Sequence, residues 1–132
     1  MTQPSPDFTR PIQTVEDAAA LAACAARVET PCGDVQSMVW HIWGQGAPVV
    51  LLHGGAGSWN HWVRNIGSLV AAGRRVLVPD LPGFGDSARA PAARDADALP
   101  PWVERGLIEL IGPADCDVVG FSFGGMVAGL LA

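Results

Sequence analysis

Apolar residues follow two different periods along this chain, and the switches between them lay out its elements. Residues 35–43 are rich in β-branched and aromatic side chains, which predicts a strand. Gly44, Gly46 and Pro48 make a turn after it, and Val49-Val50-Leu51-Leu52 is then apolar without interruption. Such a run predicts a strand covered on both faces, as in a parallel sheet. The period then changes. Trp59, Trp62, Val63, Ile66, Leu69 and Val70 fall on one helical stripe, with Ser58 as the expected N-cap and Gly73 just past the C-terminus. Residues 75–78 form a second short apolar strand closed by Pro79, and a Gly/Pro-rich loop runs from Asp80 to about Ala98. A helix is expected from Pro100 or Pro101, carrying Trp102, Val103, Leu107, Leu110 and Ile111 and ending at Gly112-Pro113. Residues 116–119 form a third apolar strand, and residues 123–132 open a helix that is apolar on every side. Strand alternating with helix predicts parallel β-α-β units.

Upstream, residues 1–13 are polar and Pro-rich and predict a flexible arm. Thr14 and Asp17 have the spacing of a capping box. The Ala-rich run behind them predicts a helix, because Ala loses no side-chain entropy there. Pro31, Gly33 and Asp34 break it, so the chain divides into an arm (1–13), an Ala-rich helix (14–30) and an α/β unit (34–132). An all-round apolar helix has to be buried. Nothing in the chain remains to cover the last ten residues, so the chain is expected to be cut off there.

Composition narrows the chemistry. With 132 residues the chain suffices for one domain, and 49% apolar content argues against wholesale disorder. All eight basic residues are Arg, against thirteen acidic ones, for a net charge of −5. That balance argues against non-specific nucleic-acid binding and polybasic membrane contact. The lack of Lys excludes Schiff-base chemistry on Lys and a G-x-x-x-x-G-K phosphate loop. Cys24, Cys32 and Cys116 are odd in number and widely spaced, which fits reduced thiols rather than a disulfide framework or a metal site. No segment reaches the roughly 18 apolar residues of a membrane span. Leu21-Ala22-Ala23-Cys24 looks like a lipoprotein box, but Glu16 and Asp17 stand where a signal needs an apolar core. A cytoplasmic protein is expected.

Three motifs carry chemistry. Gly120-Phe121-Ser122-Phe123-Gly124 follows an apolar strand and opens a helix, the setting of a nucleophile elbow. So tight a turn strains the Ser backbone and lifts its hydroxyl above the sheet. The alternative for this motif alone is a Gly-rich βα turn with a structural Ser. His53-Gly54-Gly55-Ala56-Gly57 also stands between strand and helix. Its glycines can turn backbone N–H groups inward, so that Gly55 (or Ala56) and Phe123 would hold a developing oxyanion. A Gly-rich turn with no ligand is the alternative. In Asp80-Leu81-Pro82-Gly83-Phe84-Gly85-Asp86-Ser87, Asp80 is read as a structural acceptor for loop amides. All three loops follow strands, and ligands of parallel sheets bind at the strands' carboxyl ends.

In this order and spacing the three motifs resemble the α/β-hydrolase superfamily, over residues 35–132. The fold implied is the N-terminal half of an α/β-hydrolase domain, a mostly parallel sheet with flanking helices. The resemblance implies a serine hydrolase for an ester, thioester or related acyl bond, or a C–C bond, acting on a small-molecule substrate without cofactor or metal. Ser122 would be the nucleophile, the Gly55 and Phe123 amides the oxyanion hole, and His53 with Gly54 the support of that loop. Ser rather than Asp at the elbow argues against the dehalogenase and epoxide-hydrolase branches. In this family the catalytic acid and His follow the Ser. Only ten residues follow Ser122, and none is Asp, Glu or His. His41 lies on an early strand, and His61 is placed at the surface or the cleft rim. The chain by itself is therefore expected to be inactive. Trp59, Phe84, Phe121 and Phe123 are candidates for an apolar cleft, with core packing as the default. The alternatives are non-catalytic binding on the same fold, or another enzyme class such as an acyltransferase or a lyase.

Overall fold

The computed structural model describes Phe8, residues 11–91 and residues 98–131. Most of the arm expected over residues 1–13, and residues 92–97 of the loop after Asp80, lie outside them. In chain order the elements are α1 (Val15–Ala23), β1 (Ala26–Pro31), β2 (Ser37–Trp43), β3 (Ala47–Leu52), a 3-10 turn (Trp59–Trp62), α2 (Val63–Ala71), β4 (Arg74–Pro79), α3 (Pro100–Ile111), β5 (Asp117–Gly120) and α4 (Phe123–Leu131). The strands form one sheet in the order β1-β2-β4-β3-β5.

The uninterrupted apolar strands are covered on both faces, as their pattern requires. Val50, Leu52 and Leu77 join Met38, Trp40 and Ile42 in a core with Val103 and Leu107 of α3 and Val127 of α4. Their neighbours Val49, Leu51, Val76 and Val78 point the other way, into a second core with Trp43, Ile66 of α2 and Leu21 of α1. The expected α2 stripe holds, with Ile66 fully buried and Trp62, Val63, Leu69 and Val70 packed around it.

The α/β sheet with flanking helices is the partial domain expected, with a larger antiparallel share than a mostly parallel sheet has: β1–β2 and β2–β4 pair antiparallel, β3–β4 and β3–β5 parallel. A short turn joins β1 to β2, closed by Cys32 N–H on the Gln36 carbonyl at 2.9 Å, so the two must run opposite ways. β3 reaches β4 through α2, and such a crossover makes the pair parallel.

The helix expected over residues 14–30 ends at Ala23, and Ala26–Pro31 is a strand. Thr30 is buried and Val28 half-buried, while Arg27 and Glu29 face out. Pairing with β2 and the Trp40 Nε1–H bond to Thr30 Oγ1 (2.7 Å, buried) outweigh the helix preference of the Ala run. The capping box itself forms: Asp17 N–H donates to Thr14 Oγ1 at 3.0 Å and Thr14 N–H to Asp17 Oδ2 at 3.1 Å. Trp43 Nε1–H donates to the Leu21 carbonyl at 2.9 Å and ties α1 onto the sheet. No helix among the described residues is long and apolar enough to cross a membrane.

Candidate active site

The carboxyl ends of β3, β4 and β5 bring the three loops to one side of the sheet. β5 ends at Gly120, and Phe121 N–H donates to the Leu52 carbonyl at the end of β3 (3.0 Å). Ser122 then takes φ +54, a left-handed conformation that non-glycine residues rarely adopt. The chain turns at once into α4, with Gly124 N–H on the Phe121 carbonyl (2.9 Å) and Met126 N–H on the Ser122 carbonyl (3.2 Å). The flanking glycines are required. A Cβ on Gly124 would collide with the Leu52 carbonyl oxygen, and one on Gly120 with the Gly124 carbonyl oxygen. Ser122 is exposed, and the segment before it is extended.

The loop from His53 to Ser58 faces this turn. A Cβ added at Gly55 would lie 3.8 Å from Phe123 Cβ, and one at Gly54 would lie 3.0 Å from the Phe121 ring. Ala56, like Ser122, is left-handed, at φ +58. Among the described residues, the backbone N–H groups of Gly55 and Phe123 have no hydrogen-bond acceptor. Gly55 and Phe123 thus approach one another with their amides lacking acceptors, and Ser122, next to Phe123 in the chain, is exposed.

His53 is fully buried behind them. Its Nδ1 lies 2.7 Å from the Gly54 carbonyl oxygen, and its Nε2 accepts the Leu81 N–H at 2.9 Å. A carbonyl only accepts and an amide N–H only donates, so the ring is neutral with its proton on Nδ1. Burial holds its pKa below the ordinary histidine value, against the pull of the Gly54 carbonyl and Asp80. With both nitrogens engaged, His53 braces the loop and has none left for a proton-transfer partner.

Asp80, also buried, fixes turns as the sequence reading had it. Its Oδ1 accepts the Trp59 N–H at 2.8 Å and its Oδ2 the Asp86 N–H at 3.0 Å. Ser87 Oγ donates to the Asp80 carbonyl and accepts the buried Val39 N–H at 2.7 Å. Ser58 does not cap the following helix with its side chain, which donates to Asn60 Oδ1 instead. The distant carboxylate of Asp80 takes over that end.

His61 is exposed, at the rim where it was expected. It does more than sequence reasoning assigned: its Nδ1 accepts the Gly54 N–H at 3.2 Å. The only sequence signal was a His eight positions after His53, just past a Gly-rich loop. His41 lies in β2 with Nδ1 3.3 Å from the Val78 carbonyl and its ring against Trp43 and Trp59. Trp59 accordingly belongs to the core with Trp43, not to the cleft. Phe84 stands between His53 and Phe123, at ring distances of 5.3 and 5.7 Å, and Phe121 is exposed.

Comparison with known proteins gives a common answer. Residues 47–132 match the sequence model of a family described as alpha/beta hydrolase fold. The chain is 40% identical over 85 residues to the 2-hydroxy-6-oxo-6-phenylhexa-2,4-dienoate hydrolase of Burkholderia cepacia, a match covering 62% of this chain and 30% of that protein. It is 39% identical over 89 residues to the pimeloyl-[acyl-carrier protein] methyl ester esterase of Aeromonas salmonicida, covering 67% and 33%. A crystal structure of an epoxide hydrolase from Vigna radiata superposes with a TM-score of 0.72 at 26% identity, over 83% of this chain and 36% of that one. The chain thus spans about a third of the length of the relatives it matches.

Proposed function

Since the chain belongs to the α/β-hydrolase fold family, we propose that it carries the nucleophile and oxyanion-hole half of a serine hydrolase. The substrate class is a small molecule with an ester, thioester or related acyl bond, or a C–C bond beside a carbonyl. Ser122 Oγ attacks the carbonyl carbon and gives its proton to a base. Negative charge grows on the carbonyl oxygen, where the Gly55 and Phe123 amides receive it without having to reorganise. One observation carries the reading: an exposed Ser122 hydroxyl on a left-handed backbone, beside two amides without acceptors.

The base is not among the chain's three histidines. His53 has both nitrogens bonded, His41 is packed against Trp43 and Trp59 with Nδ1 on the Val78 carbonyl, and His61 has Nδ1 committed to Gly54. In this reading the base and its orienting carboxylate lie outside residues 1–132. The chain by itself then retains at most the modest catalysis, roughly 10³–10⁴-fold over water, of a triad enzyme stripped of its triad. Ser at the elbow favours acyl or C–C chemistry over epoxide opening, while the curated relatives near 40% identity include an esterase, a dienoate hydrolase and an epoxide hydrolase alike.

Fluorophosphonate labelling of the complete protein tests this. Covalent modification at Ser122, lost in Ser122→Ala, is the expected result. No modification, or modification unchanged by the substitution, removes the serine mechanism and leaves ligand binding on the same fold as the better account.

A further inference from the structure

We propose that His61 is a positioning residue for the oxyanion loop, holding the Gly54 N–H from the rim while His53 holds the Gly54 carbonyl from the core. The two imidazoles do this in opposite tautomers. The inference deepens the oxyanion-loop reading and rests on it for its functional consequence.

The bonding pattern fixes the proton positions. Leu81 N–H donates to His53 Nε2, so that nitrogen is bare and Nδ1 carries the proton given to the Gly54 carbonyl (2.7 Å). Gly54 N–H donates to His61 Nδ1 (3.2 Å), so there Nδ1 is bare and the proton of the neutral ring sits on Nε2. Both polar groups of one glycine are therefore tied to imidazoles. The consequence for Gly55 follows from peptide geometry. Every peptide bond here is trans, and a planar trans unit points its C=O and N–H in opposite directions. Drawing the Gly54 carbonyl toward buried His53 turns the Gly55 N–H away from it. His61 holds the preceding peptide plane, so two consecutive planes are set.

The seat of the His61 ring is shaped for it. A Cβ on Gly57 would collide with the ring, and the ring meets Phe121, the residue before Ser122, edge to face at 6.1 Å. His61 thus touches the oxyanion loop and the elbow together. The titratable group facing it is His53, 6.0 Å away ring to ring, with Asp80 beyond His53. Gly57 and Phe121 carry no charge.

The experiment uses protein labelled with 15N at histidine and glycine. Long-range proton–nitrogen spectra should report Nδ1–H for His53 and Nε2–H for His61. His61→Asn keeps an acceptor at the Nδ1 position, so the Gly54 amide should stay in place. His61→Phe removes the acceptor, and Gly57→Ala displaces the ring without altering it. Both should release the Gly54 amide, and the double variant should release it no further. The same tautomer in both rings, or a Gly54 amide indifferent to His61→Phe, overturns the clamp. In the labelling assay His61→Phe and Gly57→Ala should slow reaction at Ser122, by less than the roughly 10²–10³-fold that loss of a whole oxyanion donor costs. His61→Asn, which keeps the acceptor, should recover most of the rate lost in His61→Phe. Labelling that ignores His61→Phe and Gly57→Ala overturns the positioning role. An intact clamp in a protein that never labels overturns the serine mechanism instead.

Discussion

A buried imidazole with both nitrogens bonded has no place for a second proton, and that makes His53 an acid-sensitive point. Its folded-state pKa lies below the ordinary 6.5 because of burial. Between those two values the unfolded chain binds the proton and the folded chain does not, so stability rises with pH there. The contribution is complete above about pH 6.5 and is lost as pH falls toward the lowered folded value. Thermal melts from about pH 8 to pH 5 should show a fall that is shallower in His53→Asn, since Asn does not titrate. His53→Ala should cost about 2–4 kcal/mol in urea unfolding, from a cavity plus an orphaned Leu81 N–H. Ser87→Ala leaves the buried Val39 N–H without an acceptor and should cost about 1–3 kcal/mol in the same measurement. Ser122, Gly55 and His53 were legible as candidates because each role needs a particular residue type beside a strand end, and Phe123 because its amide directly follows the Ser. His61 was not, since its bond to Gly54 exists only once the chain has doubled back through Gly57.

Among the elements, the apolar periods read correctly wherever both faces or one clear stripe were buried. β3, β4, α2 and α3 were legible for that reason. β1 was not: the Ala run before it supplies helix propensity and no face, and only β2 beside it makes an extended segment the better bargain. Ser58 was a reasonable N-cap on residue type, yet the Asp80 carboxylate, 21 positions on, reaches the Trp59 N–H. The fit of α3 against β1 and β2 can be tested at Gly106. A Cβ there would lie 2.7 Å from both Thr30 Oγ1 and the Trp40 ring. Gly106→Ala gains up to about 1 kcal/mol of helix propensity. Overpacking costs typically about 1–3 kcal/mol, so a lower melting temperature is the expected outcome.

For the molecule as a whole, one edge of the sheet carries a run of exposed apolar residues. β5 pairs with β3 on one side, and Val118, Val119, Phe121, Met126 and Leu130 are 36–59% exposed along β5, the elbow and α4. An apolar strand edge is a template for pairing with other chains. The 132-residue chain should therefore associate with increasing concentration in size-exclusion chromatography, and Val119→Lys should shift it toward monomer. A monodisperse wild-type monomer that melts cooperatively would contradict this. The local chemistry of strand, helix and glycine turn was settled along the chain, because period, capping and left-handed backbone depend on residues a few positions apart. Strand order, the antiparallel pairings of β2 and the partners of His53, His61 and Asp80 were decided only in three dimensions. They join residues far apart in the chain, and the free energy that selects them comes from burying both faces of one sheet at once.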